Sequence, residues 1–120
     1  MSKINWKSQS IVLTGACGGL GIQLAELLSA KGAKLLLLGR SEPELTALAA
    51  HLQQDCFVLD LCASDAISHL HQFIEQKNLR ITGLINNAAT THEGLLEDAT
   101  SEDIQRVIDP NLTVPVFFFF

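Results

Sequence analysis

The stretch LTGACGGLG, Leu13 to Gly21, places glycine at four of the seven positions from Gly15 to Gly21, directly after a short apolar run. Glycine loses more conformational freedom on folding than any other residue, so such a concentration needs a reason. One reason is a flexible linker. The other is a turn that lets a large anionic group approach the bare backbone. The flanks decide between them. SIVLTG, residues 10–15, is a short apolar run closed by glycine, which predicts a buried strand. GIQLAELLSAKG, residues 21–32, spaces Ile22, Leu24, Ala25, Leu27 and Leu28 for a helix, with Gly32 placed to end it. A linker does not sit between a strand and an amphipathic helix. The glycines therefore form a strand-to-helix turn, and the helix start offers unpaired N–H groups and a partial positive charge to an anion.

The same alternation continues along the chain. AKLLLLG, residues 33–39, is a second apolar run, CFVLDL, residues 56–61, a third, and ITGLINNA, residues 81–88, a fourth. Between them, SEPEL at 41–45 opens a helix, with Ser41 as cap, Pro43 in the first turn and Glu44 at the capping-box spacing. SDAISHLHQFIEQ, residues 64–76, predicts another helix, and TSED at Thr100–Asp103 starts a last one. Strands alternating with helices predict an α/β fold with a parallel sheet. Continuous rather than alternating apolar strands fit a sheet covered on both faces. The whole chain, residues 1–120, is read as one domain, a doubly wound sheet of about four strands.

Composition narrows the function. The chain is 48% hydrophobic and 18% charged, which excludes disorder, and a net charge of −5 with no basic stripe excludes a nucleic-acid surface. No apolar run reaches the length of a membrane-spanning helix, and MSKINWKSQS lacks a signal peptide's apolar core. Three cysteines without metal-ligand spacing, Cys17, Cys56 and Cys62, fit a reduced cytoplasmic setting. Cys17 lies near a helix start, where a thiol pKa can fall, but is read as a small residue fitting the turn. The four histidines are scattered and form no metal constellation.

The glycine spacing fails the strict G-x-G-x-x-G pattern, because Leu24 stands where the last glycine belongs, and it fails the Walker P-loop. It matches T-G-x-x-x-G-x-G through Thr14, Gly15, Gly19 and Gly21, and so resembles the short-chain dehydrogenase/reductase family. Gly15, Gly18 and Gly21 also fit the family's extended branch. NNAA, Asn86 to Ala89, resembles the classical branch's N-N-A-G, and NLT at Asn111–Thr113 resembles the helix bearing its catalytic asparagine. Asp60 and Leu61 end the third strand, where the family holds the adenine ring. The resemblance covers essentially the whole chain and implies a Rossmann-type fold that binds NAD(P). On this resemblance Gly15, Gly19, Leu20 and Gly21 line the pyrophosphate, Asn87 and Ala88 the ribose region, and Asn111 supports a proton relay. The substrate implied is a small-molecule carbonyl or alcohol, and the parent enzyme a homo-oligomer.

The second strand addresses the choice of cofactor. Such folds place an acidic residue about twenty positions beyond the glycines to hold the ribose 2′-OH of NAD. Here Gly39 occupies that end and Arg40 follows it, with Ser41 offering a hydroxyl. A guanidinium pairs bidentately with a 2′-phosphate, whereas a solvated loop cation is the bland alternative. The expectation is NADP(H) in preference to NAD(H).

The family's proton donor is a tyrosine in a Y-x-x-x-K segment, and these 120 residues contain no tyrosine. Of the family's catalytic residues only Asn111 has a counterpart, flanked by Pro110 and Pro115, each of which removes a helical N–H donor. The ending VPVFFFF implies a thymidine-rich, slippage-prone coding run. The expectation is an N-terminal half of a reductase, cut short by frameshift, gene decay or fragmentary assembly and inactive alone. Two alternatives stand beside it: a natural short protein burying Phe117–Phe120, and a non-catalytic dinucleotide-binding or subunit-interaction module.

Overall fold

The structure is a computed structural model and describes residues 3–88 and 98–108. A single turn of 3-10 helix, Trp6–Ser8, precedes strand β1, Ser10–Leu13. Then follow α1 (Gly19–Ala30), β2 (Lys34–Gly39), α2 (Glu42–Leu52), β3 (Asp55–Val58), α3 (Ala66–Gln76), β4 (Gly83–Ile85) and α4 (Ser101–Ile108). The four strands form one wholly parallel sheet in the order β3-β2-β1-β4.

Strand periodicity explains why the sequence reads as continuous apolar runs. Ile11 and Leu13 of β1 and Leu35 and Leu37 of β2 face α1 and α2, where they pack with Ala25, Leu28, Leu45 and Ala49. Val12, Leu36 and Leu38 point to the opposite face and pack with Ala66 and Leu70 of α3. Each layer needs its own apolar set, so the central strands are continuously apolar from Ile11 to Leu13 and from Leu35 to Leu38. Burying the four leucines of β2, all at most 2% exposed, contributes about 2 kcal/mol each on transfer from water.

Polar groups are confined to the two ends of the sheet. At the end where β2 begins, the Gln54 side chain accepts from the Leu35 amide and donates to the Ala33 carbonyl and the Ser29 hydroxyl, each within 3.1 Å. It thereby joins the end of α1 to the start of β2. At the opposite end, chain direction splits: β2 lies to one side of β1 and β4 to the other. Ligands of open α/β sheets bind at this point, outside the carboxyl ends of the strands. On its outer side β4 has no strand neighbour among the described residues.

Two expected caps turn out differently. Thr100 and Asp103 form a reciprocal capping box, the Asp103 amide donating to Oγ1 at 3.1 Å and the Thr100 amide to the Asp103 carboxylate at 2.9 Å. Ser41 occupies the cap position of α2 but makes no side-chain cap bond. Ser41 belongs instead to the wall of a cleft.

Candidate cofactor site

Beyond the carboxyl ends of β1, β2, β3 and β4 lies a cleft of about 420 Å³. Its wall is built from three segments: Gly15, Cys17 and Gly18 of the glycine turn, Gly39 to Ser41 with Glu44, and Leu59 to Cys62, closed by Asn87 and Ala88. Six of the residues expected at a cofactor thus share one space: Gly15, Arg40, Asp60, Leu61, Asn87 and Ala88. Gly19, Leu20 and Gly21 are not in that wall. They form the first turn of α1.

The glycine turn is held by three strands. Its lead-in, Thr14, donates its amide to the Ile85 carbonyl of β4 at 3.1 Å, and Ala16 donates to Leu38 of β2 at 3.1 Å. Gly15 adopts φ +63°, and a Cβ there would lie 2.9 Å from the Ala88 backbone. Position 15 therefore needs glycine twice over, for its left-handed conformation and for the close passage of the chain leaving β4. A Cβ on Gly21 would strike the Gly15 carbonyl, so this glycine lets α1 seat against the turn. Gly19 differs from both: a Cβ there meets nothing within 4 Å.

That open position sits on a helix end suited to an anion. Gly18 caps α1 without a side-chain bond, and no acidic residue occupies the first turn. The amides of Gly19, Leu20 and Gly21 have no intrahelical acceptor, because they precede the first complete helical hydrogen bond, from Ile22 to the Gly18 carbonyl. Bare backbone, unpaired donors and an uncompensated dipole fit a diphosphate.

The chain leaving β4 is fixed by a residue to which sequence reasoning gave no role of its own. Thr14 is 1% exposed, and its hydroxyl oxygen accepts from the amides of both Asn87 and Ala88 at 2.9 Å. The Asn87 side chain donates to the Gly15 carbonyl at 3.1 Å, so it locks the turn from the other side. The sequence signal for Thr14 was its place at the end of an apolar run, where a hydroxyl has no solvent to face.

On the far side of the cleft, Asp60 accepts the Cys62 amide at 3.0 Å, a local turn that fixes one carboxylate oxygen. Arg40 is exposed at the rim and has no ion pair among the described residues. The end of β2 carries no carboxylate, since Gly39 stands there. Glu44, read from the sequence only as a capping residue, lines the same wall. Burial pushes the Cys17 thiol up from its ordinary value, with the Glu44 charge adding to the effect and Cys56 after it. Cys56 is likewise raised, by burial and then by Asp55. The lowered pKa considered for a cysteine near the α1 start does not occur. Ala89, Asn111 and Phe117–Phe120 lie outside the described residues.

Known proteins share this arrangement. A solved short-chain dehydrogenase from Sphingobium yanoikuyae in complex with NADPH superposes with a TM-score of 0.81 at 30% identity, over 90% of this chain and 44% of that one. An uncharacterized oxidoreductase, YxnA of Bacillus subtilis, is 31% identical over 92% of this chain and 33% of its own length. The 3-oxoacyl-[acyl-carrier-protein] reductase FabG of Rickettsia typhi is 31% identical over 91% of this chain and 44% of its own. The chain thus spans less than half the length of these relatives. With the short chain dehydrogenase family matching residues 9–119, on a parallel sheet whose glycine turn opens at the β1–β4 divide, the chain belongs to that family.

Proposed function

We propose that these 120 residues form the cofactor-binding part of an NADP(H)-dependent oxidoreductase that interconverts an alcohol and a carbonyl. The observation carrying this reading is the uncapped start of α1, with open space at Gly19, beside a cleft where β2 ends in Gly39 rather than a carboxylate and Arg40 follows it. Residues 1–120 act as one dinucleotide-binding unit. The amides of Gly19, Leu20 and Gly21 hold the diphosphate, and Arg40 with Ser41 holds the 2′-phosphate. Asp60 and Leu61 border the adenine, while Asn87 and Ala88 form the floor toward the ribose. When bound, the nicotinamide supplies or accepts a hydride. The chain's own part is to exclude water from the cleft and to orient the dinucleotide, with Asn111 supporting the proton relay in a protein of the relatives' full length. Such a protein is a homo-oligomer of the cytoplasm on this reading.

Tryptophan-to-nicotinamide energy transfer, using the single tryptophan, gives the test. NADPH should bind more tightly than NADH, and Arg40→Ala should remove the difference. Equal affinity of the unaltered protein for both would refute the role of Arg40. A second reading rests on the absence of tyrosine from these residues: they serve as a non-catalytic dinucleotide-binding module. Turnover of simple ketones by these 120 residues alone would exclude it.

A further inference from the structure

The 2′ side of the cleft holds charges of both signs. Glu44 stands in the first turn of α2, one helical turn beyond Arg40, and lines the same wall as Arg40, Ser41 and Cys17. It makes no ion pair with Arg40 or with any other cation among the described residues. Its charge reaches the glycine turn, where it acts on the Cys17 thiol. The other acidic residues nearby are placed differently. Glu42 lies outside the cleft wall, and Asp60 has an oxygen engaged by the Cys62 amide.

We propose that Glu44 is a specificity-determining residue, one that opposes a phosphate on the adenosine 2′ position and so limits the selectivity that Arg40 sets. The inference rests on the cofactor reading above. A 2′-phosphate brought beside Arg40 gains one cation and meets the Glu44 carboxylate one helical turn further along the same wall, whereas a neutral 2′-hydroxyl meets an acceptor for its hydrogen. The carboxylate therefore taxes NADPH and spares NADH. Because Glu44 is exposed, its effect is that of a solvent-screened charge and falls with added salt.

The test compares the unaltered protein with Glu44→Gln, which keeps the side chain's size, and with Glu44→Lys, which reverses its charge. Binding of NADPH, NADH and adenosine 2′,5′-bisphosphate is titrated at low and high salt. Glu44→Gln should tighten NADPH and the bisphosphate about three- to fivefold at low salt, the range of one exposed charge pair. NADH affinity should change by less than about twofold in either direction, and Glu44→Lys should extend the gain for the phosphorylated ligands. Unchanged NADPH affinity in both variants, or an equal gain for NADPH and NADH, overturns the proposal. Arg40→Ala separates it from the underlying reading. If that variant keeps full NADPH affinity while Glu44→Gln still tightens it, the role of Arg40 falls and that of Glu44 stands. If the unaltered protein binds none of the three ligands, both fall.

Discussion

Replacing Gly19 by alanine should make the protein slightly more stable and a poorer nucleotide binder. Gly19 is the first residue of α1, and a Cβ there meets no atom within 4 Å, so the methyl enters without strain. Alanine in a helix is favoured over glycine by about 0.5–1 kcal/mol, and the helix-start position gives the lower end of that range. The same methyl projects into the space assigned to the diphosphate. Pushing the anion off the helix start weakens at least one charge-assisted hydrogen bond, worth about 1.5–3 kcal/mol, so affinity for NADPH should fall about tenfold or more. Urea denaturation followed by far-ultraviolet circular dichroism reads the first effect, and titration with NADPH reads the second. Gly15→Ala is the control with the opposite profile. Its Cβ lies 2.9 Å from backbone that cannot yield, at φ +63°, and should cost more than about 2 kcal/mol. A Gly19→Ala protein that binds NADPH as tightly as the original refutes the placement of the diphosphate.

Three other outcomes follow from described contacts. Thr14→Val strips the acceptor from the Asn87 and Ala88 amides, and at the lower end of the cost of an orphaned donor should destabilise by about 2 kcal/mol. Thr14→Ser, which keeps the hydroxyl, should lose only about 1 kcal/mol in denaturation and retain nucleotide binding. Gln54→Ala leaves the Leu35 amide and Ala33 carbonyl without their partner. It should lower stability by about 1–2 kcal/mol yet leave NADPH affinity unchanged, since Gln54 sits at the other end of the sheet. The thiols of Cys17 and Cys56 titrate above their unfolded value, so their contribution is complete below the ordinary thiol pKa of about 8.5 and is lost as pH rises through the folded values. Denaturation midpoints should therefore fall on the alkaline side, and less so in a Cys17→Ala, Cys56→Ala double variant.

The fold was legible wherever one residue pattern served one purpose. LLLL in β2 is buried on both faces, and the sequence could not have been read as an exposed strand. The strand-turn-helix around Gly15 followed from its flanks alone. Strand ends were less visible. CFVLDL carries apolar character to Leu61, but β3 ends at Val58, because Leu59 and Leu61 continue the core after the ladder has stopped. Within the site, the glycines looked alike in sequence and differ in cause. Gly15 yields to the chain leaving β4, Gly21 to a carbonyl, and Gly19 to open space. Such distinctions arise from atoms far apart in the chain, as does the hold of Thr14 on residues more than seventy positions away. Glu44 was masked by a competing local explanation: its spacing from Ser41 suited a capping box, and the Ser41 side chain makes no cap bond.

The outer side of β4, which has no strand neighbour among the described residues, bears on how these residues behave as a separate polypeptide. Ladder groups without a neighbour are satisfied by water in dilute solution and by other molecules in concentrated solution. Only Gly83, Leu84 and Ile85 form this rim. So short a margin grips a foreign strand weakly, and its side chains carry no charge. A foreign strand settling there would find three residues to pair with, which favours transient over lasting association.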